Sequence, residues 1–245
     1  MGDQKQLPAT VISPHCKKGG YGKSWMENVN VTNPESIHLL NVQYRMDPKI
    51  LNFSNKEFYD NRITSSECVK DRHPSVAFPI RLIDTMNRGS EEKENFSWRN
   101  TYEVTTIKSI LRNDQDIRKI LQHNKNAKIV IITPYQAQMV LLQTELKKVV
   151  GIGKWVVSTV DSFQGQEGEI VIISTVRTKR VGFVDDPQRL NVALTRAKRV
   201  LRIVGKLNFF QKLPESSTLR KLSDHCIFIK SVQEVKFNKR NKKKS

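Results

Sequence analysis

Residues 170 to 173, Ile-Val-Ile-Ile, form an unbroken apolar run, the pattern of a central parallel strand covered by helices on both faces. Lys-Ile-Val-Ile-Ile at 128 to 132 has the same character. Around these runs the apolar positions switch between a period of two and a period near 3.6. Strands are expected at 36 to 42, 78 to 83, 128 to 132, 155 to 158, 169 to 176 and 200 to 204. Helices are expected at 48 to 59, 98 to 124, 136 to 149 and 187 to 198. Asp47 and Pro48 supply an N-cap and a first helical residue for the first of them. Irregular chain is expected at 13 to 34, which is rich in Gly and Asn, and a polar loop at 86 to 97. Strands alternating with helices of this length imply right-handed βαβ units, a mainly parallel sheet and the α/β class.

The chain has 245 residues, enough for one or two domains with a real core. Its 42 Lys plus Arg against 24 Asp plus Glu give a net charge of +18. Such a surplus draws a protein to polyanions by counterion release, so nucleic acid is the first partner to consider. The ten residues from 236 to 245, KFNKRNKKKS, bury almost nothing and repel one another, so a basic disordered tail is expected there. Such a tail fits a nucleic-acid tether, a nuclear address or a solvated end equally. The 3 cysteines, Cys16, Cys68 and Cys226, are scattered and odd in number, which favours a reducing compartment over a disulfide framework. Neither His15 with Cys16 nor Cys68 with His73 has the spacing of a zinc site, so no metal ligand set is expected. No segment has the length of a membrane span or the core of a signal peptide, and a soluble intracellular protein, nuclear or cytoplasmic, is expected.

Chemistry-bearing residues cluster where strands begin or end. The helix expected from Pro187 carries an apolar stripe of Leu190, Ala193, Leu194 and Ala197, with Arg189, Arg196 and Arg199 on an adjacent flank. Arg196, two turns in, is placed for packing to hold its guanidinium toward an anion. From the pattern alone this flank equally fits a solvated basic face. Gly165 permits a tight turn ahead of Glu167, a carboxylate that can accept a bond from a ribose hydroxyl. Thr133, Pro134 and Tyr135 end the strand at 128 to 132, exposed and suited to line a nucleic-acid path, with Pro134 opening a helix whose amides attract phosphate. In Gln-Tyr-Arg-Met at 43 to 46, Tyr44 can stack on a base and Arg45 can reach a phosphate. Gln6 can both donate and accept.

Taken in order, GDQKQLPAT, LNVQYRMDP, IITPYQAQ, TVDSFQGQEGEIVIISTVR and DPQRLNVALTRAK closely resemble the second half of a superfamily 1 helicase of the up-frameshift and senataxin type. The resemblance spans residues 2 to 210. It implies an α/β, RecA-like domain of the P-loop NTPase type at 35 to 225. Residues 1 to 12 would then be the end of a first RecA-like domain, 13 to 34 a linker and 226 to 245 the tail. It also implies an ATP-dependent RNA or DNA helicase, with ATP and magnesium in the cleft between two such domains and single-stranded nucleic acid as partner. By the same resemblance Gln6 senses the γ-phosphate, Tyr44 stacks on the adenine and Arg45 contacts the γ-phosphate. Glu167, after the Gly165 turn, bonds the ribose, and Arg196 is the arginine finger. Thr133, Pro134, Thr159 and Asp161 resemble positions facing the nucleic-acid backbone.

The sequence departs from a complete motor in one respect. A phosphate-cradling GxxxxGK[ST] loop and the acidic motif that holds magnesium are both missing. Gly22-Lys23-Ser24 is the nearest match, and position 17, where the loop needs glycine, is Lys17. The expectation is therefore the C-terminal half of a motor, inactive as an ATPase on its own and completed by a first RecA-like domain in cis or in trans. A non-catalytic nucleic-acid-binding module and a truncated gene model of a longer helicase remain as other readings.

Overall fold

The computed structural model describes residues 3–8, 11, 13–70, 76–149, 151 and 153–226. In chain order it contains α1 (Pro14–Lys18), α2 (Trp25–Thr32), β1 (Val42–Gln43), α3 (Pro48–Phe58), β2 (Thr64–Ser65), α4 (Glu67–Lys70) and β3 (Ile80–Asp84). There follow β4 (Glu92–Glu94), β5 (Ser97–Arg99), α5 (Thr101–Asn113), α6 (Gln115–His123), β6 (Ile129–Thr133), α7 (Gln136–Leu146) and β7 (Trp155–Thr159). The last elements are β8 (Gly168–Ser174), α8 (Pro187–Leu194), β9 (Ala197–Gly205) and α9 (Leu207–Phe210), with further helix at 218–226.

Five strands make one sheet in the order β3-β9-β8-β6-β7, and every neighbouring pair is parallel. The α/β class with a mainly parallel sheet flanked by helices is as expected. Side chains alternate between two cores. Val130, Ile132, Val171, Ile173, Leu201 and Ile203 face α3, α8 and the C-terminal helices. Ile129, Ile131, Ile170, Ile172, Val200 and Val204 face α5, α6 and α7. All twelve are at most 2% exposed, so the runs at 129–132 and 170–173 are buried on both faces. Each such side chain contributes about 1.5–3 kcal/mol by leaving water.

Several boundaries differ from expectation. The helix foreseen over 98 to 124 breaks at Asp114, whose backbone is extended and whose carboxylate caps α6 by accepting from the Asp116 and Ile117 amides. The loop foreseen at 86 to 97 contains the antiparallel β4–β5 hairpin, and the irregular stretch at 13 to 34 holds α1 and α2. Of the strand expected at 36 to 42, only β1 pairs, preceded by a 3-10 turn at Pro34–Ser36. The helix expected to reach 198 ends at Leu194, where the Thr195 hydroxyl bonds back to the Asn191 carbonyl. Arg196 thus lies in the turn after α8, and Arg199 is on β9. The apolar residues Ala197, Val200 and Leu201 fit either period, and the sheet claims them. The strand ending at 174 stops two residues early because Val176 takes a left-handed φ of 67°. The tail beyond 226 lies outside the described residues.

Candidate functional site

Residues just before β8 and just before β9 are neighbours because those strands are paired, and the Gly168 amide donates to the Arg196 carbonyl at 3.0 Å. This places Glu167 and Arg196 together at the amino ends of the two central strands, not at the carboxyl ends where open α/β sheets usually hold ligands. Arg196 is only 2% exposed. Its Nε donates to the Val192 carbonyl at 3.0 Å, Nη1 to the Gln166 carbonyl at 3.2 Å, and Nη2 to Thr195 Oγ1 at 3.2 Å and Gln6 Oε1 at 3.4 Å. Among the described residues no carboxylate lies within ion-pair distance of it. Burial, followed by repulsion from Arg45, draws its pKa down to about 10.

Arg202 shows what a buried arginine looks like when it serves the fold. It is 0% exposed, and its Nε and Nη2 grip Asp114 at 2.7 and 3.1 Å while Nη2 also meets Asp116 at 3.0 Å. Burial alone would raise the Asp114 pKa, yet bonding to Arg202 carries it below the usual carboxylate value. Both guanidiniums are buried, but among the described residues only Arg202 is bonded to carboxylates, while Glu167 and Asp3 act on Arg196 from further away.

The other residues foreseen for nucleotide gather around Arg196. Arg45 Nε meets Glu167 Oε2 at 2.8 Å and its Nη1 donates to the Thr195 carbonyl at 3.2 Å. Lys198 also bonds Glu167, and hydrogen bonding from Lys198, then from Arg45, holds that carboxyl below its ordinary range. Tyr44 beside Arg45 is 64% exposed. Gly165 takes φ +82° with open space where a Cβ would sit, so its conformation and not a close approach calls for glycine.

Several supports were not foreseen. Gln6 Nε2 donates to Asp3 Oδ2 at 2.9 Å, Tyr59 Oη donates to the same oxygen at 2.7 Å, and Asn191 Nδ2 bonds both Tyr59 Oη and the Lys5 carbonyl at 2.9 Å. Burial and the Asp3 carboxylate raise the Tyr59 pKa. Through these bonds α3 and α8 hold residues 3–6 so that Gln6 meets Arg196. Gln43 holds the next segment: its Oε1 accepts from the Arg45 and Met46 amides at 2.8 and 2.9 Å, and its Nε2 donates to the Met46 carbonyl at 2.8 Å. Gln43 sits in the same tetrapeptide as Tyr44 and Arg45, and Asn191 is a fully buried amide on an otherwise apolar helix face.

The nucleic-acid candidates lie elsewhere, at the carboxyl ends of β6 and β7, where Thr133 and Thr159 are register partners. Thr133 is 0% exposed, and its hydroxyl accepts from the Tyr135 amide at 3.4 Å, so it turns the chain and presents nothing to a ligand. The helix α7 begins at Gln136, not at Pro134, and Ser97 Oγ accepts from the Ala137 amide at 3.1 Å, so that amide is taken. Thr159 Oγ1 is engaged with Ser162 at 2.9 Å, and Asp161 pairs with Arg189 at 3.1 Å. Pro134 lines an open cleft between the β4–β5 hairpin and α7. Among the described residues no helix is long and apolar enough to cross a membrane. No group of three or more His, Cys, Asp or Glu among them could hold a metal ion.

The family described as an AAA domain matches residues 21–208. An uncharacterized ATP-dependent helicase of Methanocaldococcus jannaschii is 34% identical over 255 residues, covering 97% of this chain and 35% of that protein. The helicase sen1 of Schizosaccharomyces pombe is 35% identical over 222 residues, covering 84% of this chain and 13% of that protein. The probable helicase senataxin of Homo sapiens is 36% identical over 224 residues, covering 84% and 8%. The chain therefore spans about a third or less of the length of these relatives. By these matches and its parallel sheet, the chain belongs to the AAA domain family as a senataxin-like superfamily 1 helicase domain.

Proposed function

We propose that this chain is the C-terminal motor half of an ATP-dependent RNA or DNA helicase, a second RecA-like domain whose Arg196 is the arginine finger. The observation that carries the reading is a guanidinium 2% exposed that, among the described residues, bonds only carbonyl, hydroxyl and amide oxygens and no carboxylate. A buried unpaired charge is costly, and an incoming γ-phosphate supplies the missing counter-ion while the packed turn supplies the geometry. Arg45 adds a second cation toward the γ-phosphate and Gln6 reports its presence by bonding Arg196. Glu167, with lone pairs left beyond its two cations, accepts from the ribose, and Tyr44, exposed beside them, covers the adenine. Gly165 sets the turn that delivers Glu167.

The phosphate-cradling loop and the magnesium ligands belong, on this reading, to a first RecA-like domain acting in cis or in trans. Exposed apolar side chains support a missing neighbour: Tyr21, Trp25, Val31, Leu39 and Leu40 are 40% to 79% exposed, and α2 buries no residue. On the opposite end of the sheet a single strand runs past Pro134 and Thr159, with Asp161 acting through the Arg189 that it holds. Hydrolysis by the chain alone and by the chain joined to a first RecA-like domain tests this. The joined protein should hydrolyse ATP and the chain alone should not; strand-stimulated turnover by the chain alone overturns the reading. The net charge of +18 favours one other reading, a non-catalytic nucleic-acid-binding module, which requires salt-dependent strand binding and a joined protein whose turnover is indifferent to Arg196→Ala.

A further inference from the structure

The hydrogen bonds behind Arg196 have a direction that the chemistry of each group fixes. Asn191 Nδ2 can only donate, and it bonds Tyr59 Oη at 2.9 Å. The Tyr59 hydroxyl therefore directs its own hydrogen elsewhere, to Asp3 Oδ2 at 2.7 Å. Burial and that bond to Asp3 both keep the hydrogen on the tyrosine. The same carboxylate oxygen accepts from Gln6 Nε2 at 2.9 Å. A carboxylate takes only donors, so Asp3 claims the amino end of the Gln6 amide and turns its carbonyl end to Arg196, whose Nη2 donates at 3.4 Å. With the amide reversed, one donor would face another.

Tyr59 is placed for its hydroxyl. Its ring lies in the same apolar core as that of Phe58, with centroids 6.5 Å apart, and a phenylalanine would fill that space as well. The residue caps the C-terminus of α3, and Asp60 and Asn61 follow with left-handed φ of 52° and 58°. Left-handed non-glycine residues in succession mark a turn that its surroundings over-determine. Here Asn55 does so: its side chain bonds the amide and the carbonyl of Ile63 at 2.9 and 2.8 Å, and its carbonyl accepts from the Asn61 amide at 3.0 Å. The turn stops α3 at the residue whose hydroxyl reaches Asp3. From α8, Gln188 bonds the Gln4 carbonyl at 3.0 Å and Asn191 the Lys5 carbonyl at 2.9 Å, so residues 3–6 are held from both helices.

We infer that Tyr59 is a positioning residue for hydrolysis: through Asp3 it fixes which end of the Gln6 amide faces Arg196, and so sets the guanidinium before the γ-phosphate arrives. Tyr59 itself touches neither nucleotide nor phosphate. The bond to Gln6, at 3.4 Å, is the longest of the four that hold Arg196, so it is the one that a phosphate oxygen displaces most readily. An amide kept in register by Asp3 takes the guanidinium back when the phosphate leaves. The inference rests on the motor reading, in which residues 3–6 belong to the first RecA-like domain. It adds that Tyr59 and Asn191 of the second domain clasp them across the cleft.

Single-turnover hydrolysis and equilibrium ATP binding, measured on the chain joined to a first RecA-like domain, test it. Tyr59→Phe removes one oxygen and leaves the ring. The rate should fall by about 10- to 100-fold, the scale of a small misplacement at a reacting centre, while ATP binds within a few-fold of wild type. In a Gln6→Ala background Tyr59→Phe should have no further effect, since both act through the same bond to Arg196. Asp3→Asn, at a half-buried position, should reproduce the loss without disturbing the core, because an amide no longer takes donors only. A Tyr59→Phe rate equal to wild type, a multiplicative loss in the double variant, or a loss of ATP binding as large as the loss of rate overturns the inference. Arg196→Ala measured alongside separates two failures. If it abolishes the rate and Tyr59→Phe does not change it, only the role of Tyr59 fails; if it leaves the rate unchanged, the motor reading fails and the role of Tyr59 with it.

Discussion

Replacing Arg196 and Arg202 by methionine, one at a time, tests whether the Arg196 guanidinium serves an incoming anion while that of Arg202 serves the fold. Methionine keeps most of the volume in both places, so packing changes little. At Arg196 the four donated bonds at 3.0 to 3.4 Å are lost, at about 1 kcal/mol each. Against this, a pKa drawn from 12.5 to about 10 corresponds to about 3 kcal/mol of disfavoured charge that the substitution relieves. The two nearly cancel, so Arg196→Met should lie within about 1–2 kcal/mol of wild type. At Arg202 the substitution strands Asp114 and Asp116, each 5% exposed at the side chain, and breaking a buried pair in this way costs about 3–5 kcal/mol. Urea unfolding at neutral pH, with m-values compared, measures both. An Arg196→Met variant as unstable as Arg202→Met would refute the reasoning, because Arg196 would then be a structural cation.

Burial raises the Glu103 pKa to about 7 against opposing bonds from Ser174, Val176 and Thr175. The folded chain therefore holds a proton that the unfolded chain has released, and stability from this group falls as pH rises from about 4.5 to about 7. Relative to Glu103→Gln, wild type should lose about 3 kcal/mol across that window, read as the pH dependence of the difference in unfolding free energy; a flat difference contradicts the placement. Gly205→Ala should destabilise by about 1–3 kcal/mol or more, since the new Cβ would sit 2.4 Å from both Phe210 and Thr175; an unshifted melting temperature would show that β9 yields there. Gln43→Ala frees the amides of Arg45 and Met46 and should cost about 1–3 kcal/mol, with a matching rise in amide exchange confined to residues 43–46 if the account holds.

How much was legible in the sequence follows from the range of the forces involved. The runs at 129–132 and 170–173 could be read because central parallel strands need apolar residues on both faces, a local signature. Arg45, Glu167 and Arg196 were picked out separately, and the structure joins them through bonds across more than a hundred residues. Two things were hidden. Asp114 looks like one polar residue in a helical stretch, but it caps α6 and is held there by Arg202 on a distant strand. The turn at Thr195 and Arg196 was read as helix because Ala197, Val200 and Leu201 suit either period, and sheet pairing decides. Thr133 was expected to be exposed because it ends a strand, but it is fully buried and its hydroxyl accepts from the Tyr135 amide. The β4–β5 hairpin, with a charged sequence and only 3 residues in each strand, gave no strand signal.

The central claim is that Arg196 acts on the γ-phosphate, and single-turnover ATP hydrolysis by the chain joined to a first RecA-like domain tests it most directly. With Arg196→Lys, which keeps the charge but not the planar fork, ATP should bind within a few-fold of wild type. The rate of phosphate release should fall by about 10³-fold or more, as for loss of an arginine finger. A rate within a few-fold of wild type would contradict the account.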